Sequence, residues 1–290
     1  MICYVEVSPS PDLRSWIACF WSSTGRIEAG RTVGNRVLPD GCIDVILRFG
    51  DSPRGQAAGL GSQSFFVGAM TSPSVVWQVG RVDVMGVRFR PGGATAFLGL
   101  PANELTDLVV GLDDVWADAA EFLERTVALR VRDENASPGD GARAVALTAR
   151  ECLCARARAV ESLLRRRAIA QSRDPLIGAA VDLIEAGAGQ LRMSAIEQRL
   201  GVTQRSLERW FLAHVGLTPK VASRIARFQA AAGTLRKDPA APLAPLAVEH
   251  GYHDQAHLTR EFRQFAALTP AAYARERRVG FVQDSSGPLV

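Results

Sequence analysis

Histidine is scarce in this 290-residue sequence, and its distribution limits the chemistry of the first half. All four histidines lie beyond residue 213, at His214, His250, His253 and His257. The five cysteines lack the spacing of a zinc site, because Cys152 and Cys154 are two residues apart and have no close Cys or His pair beside them. A histidine-based metal site in the N-terminal half is therefore excluded, and we predict no metal and no other cofactor.

Long apolar runs are also missing. No stretch approaches the roughly 18 to 20 consecutive apolar residues of a membrane-spanning helix. Residues 1–10 carry an acid and a proline instead of the basic start and apolar core of a signal peptide. The odd number of cysteines fits reduced thiols. The sequence therefore predicts a cytoplasmic protein that has no membrane partner.

Motifs of common enzymes are absent from the first half. It contains no Gly-x-Ser-x-Gly elbow, no phosphate-binding loop and no histidine-based dyad. Asp40, Cys42 and Asp44 lie close together beside a predicted turn, so turn acids with a buried Cys are weighed against a metal or catalytic role. The Gly92-Gly93 pair after a basic strand end is either an anion site or a plain turn. We predict that the protein is not an enzyme.

Residues 1 to about 105 have the pattern of short strands separated by turns. Apolar runs flank Pro39-Asp40-Gly41, which is placed for a tight turn, and similar runs follow at 65–67, 75–79 and 82–89. We predict an antiparallel β-barrel or sandwich over residues 1–132, with trailing helices. A pocket for a small-molecule effector would have Trp16, Trp21 and Trp77 as candidate lining, although aromatic residues in small barrels more often belong to the core.

Two segments between the halves have helical periodicity. They span 104–132 and 142–170, and the polar stretch 133–141 (DENASPGDG) separates them. Arg165-Arg166-Arg167 lies where cations complement a helix C-terminus. Two interpretations stay open: a solvated linker helix, or a helical layer that forms a homodimer. We assign residues 133–172 to a loop and helical linker, 173–278 to an all-α domain and 279–290 to a tail.

The clearest pattern is a repeat with a period of 51 residues. Seven residues recur: Gln204, Leu207, Arg209, Phe211, Leu217, Thr218 and Pro219 match Gln255, Leu258, Arg260, Phe262, Leu268, Thr269 and Pro270. In each copy the Leu and the Phe are four residues apart and predict an apolar helical stripe, while the Arg points away from it. A glycine and a short helix-like run precede each stripe, at Gly201 and Gly251. This order is typical of the helix-turn-helix.

Capping residues predict where the helices begin. Asp174 precedes Pro175 in a helix ending at Gly187, and Ser194 is a candidate cap with Glu197 at capping-box spacing. Thr203 caps a helix from Gln204 to about Ala213. The remaining predicted helices are 219–237, 243–250, 254–265 and 270–277.

Charge is unevenly distributed along the chain. Residues 1–170 hold 19 basic and 19 acidic side chains, whereas residues 171–290 hold 15 basic and 11 acidic. The net charge of +4 therefore lies entirely in the half with the repeat. A neutral module joined to one that meets a polyanion has this distribution.

Residues 174–277 resemble the AraC/XylS-type DNA-binding domain, in which a long helix joins two helix-turn-helix units. The resemblance is carried by GYHDQAHLTREF with LTP in the second unit, and by GVT through Phe211 with GLTP in the first. Glu197 departs from the family pattern, which favours a small residue there, as at Ala247. The N-terminal half resembles uncharacterised cupin-like sensor domains in VLPDGCIDVIL and GVRFRPGG.

The resemblance implies that the second helix of each unit enters a major groove of double-stranded DNA. The implied contact residues are Gln204, Arg205, Glu208 and Arg209 in the first unit, and Asp254, Gln255, Ala256, Thr259 and Arg260 in the second. Arg suits guanine or phosphate, Gln suits adenine, and Thr offers a hydroxyl and a methyl group. A single exposed Arg is as well explained by solvation, but the same position in two repeats favours DNA contact. We expect His253 and His257 to serve as capping or packing residues.

The resulting prediction is a bacterial one-component transcription regulator with an effector-sensing or dimerising N-terminal domain. It would contact RNA polymerase if it is an activator. The alternatives are a cupin-like enzyme and a protein-binding module with an appended helical domain. Binding that weakens with added salt would distinguish DNA from a protein partner.

Overall fold

The computed structural model describes residues 2–51, 64–118, 142–167 and 174–276. The N-terminal part is rich in antiparallel strands, and the C-terminal part is helical. The described residues include no helix with the length and apolar character needed to cross a membrane. The predicted combination of an antiparallel β domain and an all-α domain is confirmed.

Six of the described strands form one antiparallel sheet in the order β1-β2-β7-β4-β5-β8. The strands β3 and β6 form a separate two-stranded ribbon. The bounds of the eight described strands are β1 Ile2–Val7, β2 Ile17–Arg26, β3 Val33–Val37, β4 Ile43–Arg48, β5 Ser64–Val67, β6 Ser74–Gln78, β7 Arg81–Phe89 and β8 Val109–Gly111. The turn at Pro39-Asp40-Gly41 lies between β3 and β4, where the sequence predicts it, and Gly41 has a φ of +80°.

The strand register separates an apolar face of the sheet from a polar one. Phe20 and Val45 both lie opposite Val87 on the apolar face, and all three are fully buried. Cys19 and Asp44 both lie opposite Arg88 on the other face. Because side chains alternate along a strand, one register buries the whole apolar set together.

The helix α3 (Ala142–Arg167) covers the apolar face beside β1 and β2. Arg156 of this helix is buried against Asp83 of β7 at 2.7 Å, and its guanidinium lies 4.1 Å from the centre of the Phe49 ring. A buried charge needs such a partner, so this ion pair fixes the helix at one place on the sheet. The predicted helix is confirmed to residue 167, but it packs on the sheet instead of serving as a free linker.

The basic end of α3 is engaged with the N-terminal domain. Arg165 pairs with Asp12 at 2.7 Å, and Arg167 contacts Asp118 and stacks over the Trp116 ring. Arg165 and Arg166 are exposed, so this helix end is solvated, as one of the two interpretations expected, while Arg165 and Arg167 also pair with the N-terminal domain. The buried apolar face of α3 also leaves that face unavailable for a homodimer layer. The polar stretch 133–141 lies outside the described residues.

The helix predicted over residues 104–132 is wrong for residues 104–118, the part of this range that the structure describes. After a 3-10 turn at Ala102–Leu105 and the short helix α1 (Thr95–Leu98) before it, the chain forms β8 and then α2 (Leu112–Val115). Val109 and Val110 pair with β5 at the edge of the sheet. β-Branched residues suit a strand, and this distant pairing outweighs the local period.

The C-terminal helices follow the predicted caps closely. They are α4 Pro175–Ala186, α5 Met193–Leu200, α6 Gln204–Val215, α7 Pro219–Lys237, α8 Leu243–Glu249, α9 Gln255–Ala266 and α10 Pro270–Glu276. Asp174, Thr203 and Thr218 each accept a backbone hydrogen bond at their helix start. Ser194 does not cap α5, because that helix begins one residue earlier, with Arg192 at the N-cap and Met193 packed on the core.

Aromatic rings join α7, α9 and α10. Phe228 of α7 lies 5.0 Å from Phe262 and 5.5 Å from Phe265, and Phe262 lies 5.6 Å from Tyr273. The predicted stripes are core, since Leu207, Phe211, Leu258 and Phe262 are all buried. Both helix-turn-helix units therefore pack on one connecting helix.

Candidate nucleic-acid interface

Each unit turns at a glycine in the left-handed region. Gly201 has a φ of +65° and Gly251 a φ of +70°, which a residue without a Cβ adopts at little cost. The chain then enters the second helix of the unit through a side-chain cap. Thr203 Oγ1 accepts from Ser206 N at 3.3 Å, and Asp254 Oδ1 accepts from His257 N at 2.6 Å. These caps orient the first turns of α6 and α9.

In the first unit, all the predicted contact residues lie on the exposed side of α6. Gln204, Arg205, Glu208 and Arg209 are exposed, opposite the buried Leu207 and Phe211. Gln204 Nε2 donates to Glu208 Oε1 at 2.9 Å. The guanidinium of Arg209 lies 6.0 Å from the Trp210 ring centre. This face therefore carries two cations and one acid, and its glutamine is already partnered.

In the second unit, the exposed side of α9 carries no acid. Gln255, Ala256 and Arg260 are exposed, and Thr259 Oγ1 donates to Gln255 O at 2.8 Å. With Arg263 these residues line a shallow depression of about 630 Å³. The sequence analysis missed Arg263, although its position three residues after Arg260 places it on the same helix face. Continuing the helical spacing by one turn beyond Arg260 would have identified Arg263 from the sequence.

Asp254 differs from the other predicted contacts of the second unit because it is the N-cap residue of α9. Besides capping α9, its carboxylate lies 3.2 Å from His253 Nδ1. The hydrogen bond from the His257 backbone N–H, together with His253, lowers the pKa of Asp254. His257 packs edge-on against Tyr252, with ring centres 5.3 Å apart, and accepts from the His253 backbone N–H. His257 therefore has a packing role, whereas the side chain of His253 is 88% exposed and contacts Asp254.

An ion pair attaches α9 to the connecting helix. Arg224 of α7 contacts Glu261 at 2.7 Å and Gln264 at 2.6 Å. Glu261 is buried on the inner side of α9, so its charge is balanced there and does not reach the exposed face. The contact holds the exposed arginines of α9 at a defined angle to α7.

The three candidate tryptophans of the N-terminal domain have separate neighbours. Trp16 meets the edge of Phe97 at 6.1 Å, whereas Trp77 covers Gly34 on the β3–β6 ribbon and is 46% exposed. Trp21 is buried on the polar face of the sheet and donates from Nε1 to Asp44 at 3.1 Å. The ring of Trp21 occupies the space where Gly86 lacks a Cβ. No single pocket wall is formed by these three side chains.

Asp40 and Asp44 flank the buried Arg88 on the polar face. Their carboxylates lie 3.6 Å and 3.3 Å from its Nε. Burial raises the pKa of Asp44, which the positive charge of Arg88 opposes. Asp40 also accepts from the Cys42 backbone N–H at 2.9 Å, as turn acids do. At the other predicted turn, Gly93 N donates to Arg90 O, which supports a plain turn at Gly92-Gly93.

Family comparisons agree with this geometry. Residues 196–276 match the family model described as "Helix-turn-helix domain", and residues 5–111 match "Domain of unknown function (DUF6597)". No curated protein matches the chain.

Similar solved structures include three of ToxT from Vibrio cholerae. One P21 form is 11% identical, has a TM-score of 0.43 and covers 88% of this chain and 98% of its own. The structure from strain O395 is 11% identical, with a TM-score of 0.44 and coverage of 88% and 97%. A form bound to an unsaturated fatty acid is also 11% identical, with a TM-score of 0.41 and coverage of 88% and 94%.

The family matches, together with the two capped and arginine-bearing second helices, identify the chain's two parts. Residues 196–276 are a helix-turn-helix domain of the AraC type, residues 5–111 are a DUF6597 domain, and the chain is a DNA-binding transcription regulator.

Proposed function

We propose that this regulator is a sequence-specific, one-component protein that reads two successive major-groove segments on one face of duplex DNA. The observation that carries the proposal is the matched exposure of Gln204 with Gln255 and of Arg209 with Arg260, on the second helices of two units. Both helices pack on α7, which would place them about 10 base pairs apart on the DNA.

The second unit offers the clearer base chemistry. Arg260 can donate two hydrogen bonds to guanine, or one or more to phosphate, and Gln255 can pair with the edge of adenine. The hydroxyl of Thr259 is used within the helix, so its methyl group and that of Ala256 are the groups free to meet a thymine methyl. Arg263, one turn further along, is placed for a phosphate.

The first unit offers a mixed surface. Arg205 and Arg209 supply the cations, while Glu208 accepts from Gln204 at Oε1 and can accept from cytosine at Oε2. Asp254, at the entrance of the second unit, caps α9, and its half-exposed carboxylate can also accept a hydrogen bond from cytosine. We infer that the second unit provides more of the affinity than the first.

The N-terminal domain supports a regulatory role. Its sheet has a polar face on which Trp21, Asp44 and Arg88 are clustered, and this face would receive a small-molecule effector. In this proposal the protein acts in the cytoplasm without a cofactor or a catalytic step. A homodimer, and contact with RNA polymerase if it activates, are parts of the same hypothesis.

The test is a selection of bound sequences from random duplex DNA for the wild type, Arg260→Ala and Arg209→Ala. If Arg260 makes a bidentate base contact, its loss costs about 1 to 3 kcal/mol of binding and relaxes the preference at one position. If it contacts phosphate, binding weakens on every sequence and the salt slope falls by about one unit. Arg209→Ala should act about one helical turn away, with a smaller effect.

The matched control is Arg31→Ala. Arg31 is 75% exposed in the N-terminal domain and pairs only locally with Glu28, so its loss changes the net charge equally without touching α6 or α9. Identical site preferences and affinities for the wild type and both helix variants would remove the two arginines from the interface. Salt-insensitive binding to a protein, without binding to DNA, would favour the protein-binding alternative.

A further inference from the structure

Both recognition helices end against the N-terminal domain. Helix α6 ends at Val215, and its cap Gly216 adopts the left-handed conformation with a φ of +83°. Thr106 Oγ1 donates to the Gly216 carbonyl at 2.5 Å. A Cβ at Gly216 would lie 3.0 Å from the Ala102 carbonyl, so the backbone of the two domains is in close approach here.

The second recognition helix has an equivalent contact at its own end. Arg36 Nη1 donates to the carbonyl of Ala266, the last residue of α9, at 3.1 Å. The same guanidinium reaches Glu276 of α10 through Nε at 3.3 Å and Nη2 at 3.2 Å. The final carbonyls of a helix lack partners within the helix and carry partial negative charge, so a hydroxyl or a guanidinium there is stabilising.

The two capping residues both belong to the N-terminal domain, Thr106 beside the six-stranded sheet and Arg36 in β3 of the separate two-stranded ribbon. The 3-10 turn before Thr106 presses on Gly68 next to β5, where a Cβ would overlap the Leu105 carbonyl. Arg36 lies at the end of β3, and four residues later Asp40 pairs with Arg88 of β7. A displacement of either recognition helix relative to the other would therefore strain its contact with the N-terminal domain.

The connecting helix receives a third contact from this region. Gln229 Nε2, in α7, donates to the Pro39 carbonyl at 2.6 Å. Four residues further on, Gly233 lies inside α7, and glycine in a helix interior lowers the stability of the helix relative to alanine. The contact at Pro39 and the two end caps thus support the connecting helix α7, which Gly233 makes less stable by itself.

We propose that Thr106 and Arg36 are positioning residues for DNA recognition. By capping the C-terminal ends of α6 and α9, the N-terminal domain fixes the separation of the two groove segments that the protein reads. The predicted base contacts at Gln204 and Gln255 lie at the opposite, N-terminal ends of these helices, so the docked domain leaves the DNA-facing surface open. The inference rests on the proposed function.

The experiment measures affinity of the full-length protein for its selected site and for versions with one or two base pairs added or removed between the half-sites. Wild type should show a sharp optimum. Thr106→Val removes the one hydroxyl donor to Gly216, whereas Arg36→Met removes the hydrogen bonds to Ala266 and Glu276 together. Each should weaken binding at the optimum by at least about 2- to 10-fold, the range for one hydrogen bond. In these variants the loss of affinity at an altered spacing, relative to the optimal spacing, should be smaller than in the wild type. The base preference within each half-site should stay unchanged.

Control variants separate positioning from general loss of structure. Thr106→Ser keeps the hydroxyl donor and should retain the wild-type spacing profile. Arg31→Ala, on the same domain, should leave it unchanged. If a capping variant does not fold, as judged by thermal melting, Gln229→Leu tests the same docking through the contact at Pro39 and should broaden the profile in the same way.

Each other outcome overturns the inference. Variants that bind more weakly at every spacing by one factor would show a structural role only, and variants with the wild-type profile would show no role. A wild type that binds its site without any spacing preference would also contradict it. If the wild type selects no DNA sequence, the proposed function itself fails and the positioning role falls with it.

Discussion

The two helix-turn-helix units share their buried residues and differ on their exposed faces. Leu207 and Phe211 have the same inward positions as Leu258 and Phe262. On the outside, the first unit sets Glu208 between its arginines, whereas the second replaces this with Arg260, Arg263 and small side chains. The repeat therefore preserves the packing, while the surface that would meet DNA has diverged towards one stronger and one weaker cationic helix.

The units also differ in how they are held. At the position of Trp210 in the first unit, the second has Glu261, which pairs with Arg224 of the connecting helix. The second turn is one residue longer between its glycine and the following helix. Ala247 is fully buried and lets α8 approach closely, whereas Glu197 at the matching place is partly exposed.

The largest effect should come from the aromatic core of the second unit. Phe262→Ala removes a fully buried ring that contacts both Phe228 and Tyr273, and should cost about 3 to 5 kcal/mol of unfolding free energy. Phe211→Ala in the first unit should cost less. Phe262→Leu, which keeps most of the volume, is the control, and urea unfolding is the measurement. Equal losses for the two Phe→Ala variants would contradict the tighter second unit.

A smaller effect should follow from the ion pair between Arg224 and Glu261 of the second unit. Glu261→Gln leaves Arg224 without its carboxylate, and since Arg224 is 30% exposed we expect a loss of about 1 to 2 kcal/mol in unfolding free energy. The double variant with Arg224→Met should cost less than the two single changes added together. Strict additivity in this cycle would mean that the pair contributes nothing.

The charge of the first unit gives a prediction about binding. Glu208→Gln removes the only acid on the exposed face of α6 among its predicted contacts and should tighten DNA binding by about two- to fivefold at low salt. The gain should diminish as salt is added. Glu28→Gln, an equal change of charge on an exposed residue of the N-terminal domain, is the control for net charge. Weaker binding of Glu208→Gln would show that Glu208 reads a base directly.

The smallest effect concerns pH and belongs to the second unit. His250 is buried next to Thr234, with 2.9 Å between Nε2 and Oγ1, and burial lowers its pKa below the ordinary 6.5. As the pH falls below about 6.5, the unfolded chain takes up a proton that the folded protein does not, so stability falls until the folded pKa is reached. The melting temperature of His250→Gln should change less than that of wild type between pH 7 and 5.5. An identical slope would exclude His250 as the cause.

Much of the helical domain could be predicted because its signals are local. An i, i+4 apolar pair, a Thr or Asp cap and a left-handed glycine act within a few residues, so Asp174, Thr203 and Gly201 were identifiable from the sequence. The same reasoning failed at Ser194 and at Val109. There, burial of Met193 and pairing with β5 decided the outcome, and both depend on residues that only the folded chain brings close.

The candidate interface divides in the same way. The sequence by itself determined the two recognition helices and most of their exposed residues, because helical spacing assigns a face to each position. The tertiary structure alone decided that Glu261 pairs with Arg224 and that the three tryptophans lie apart. It also decided the contacts of Thr106 and Arg36, which lie 110 and 230 residues from the carbonyls they cap. Contacts across such separations follow from how whole elements pack, and no local pattern of residues encodes them.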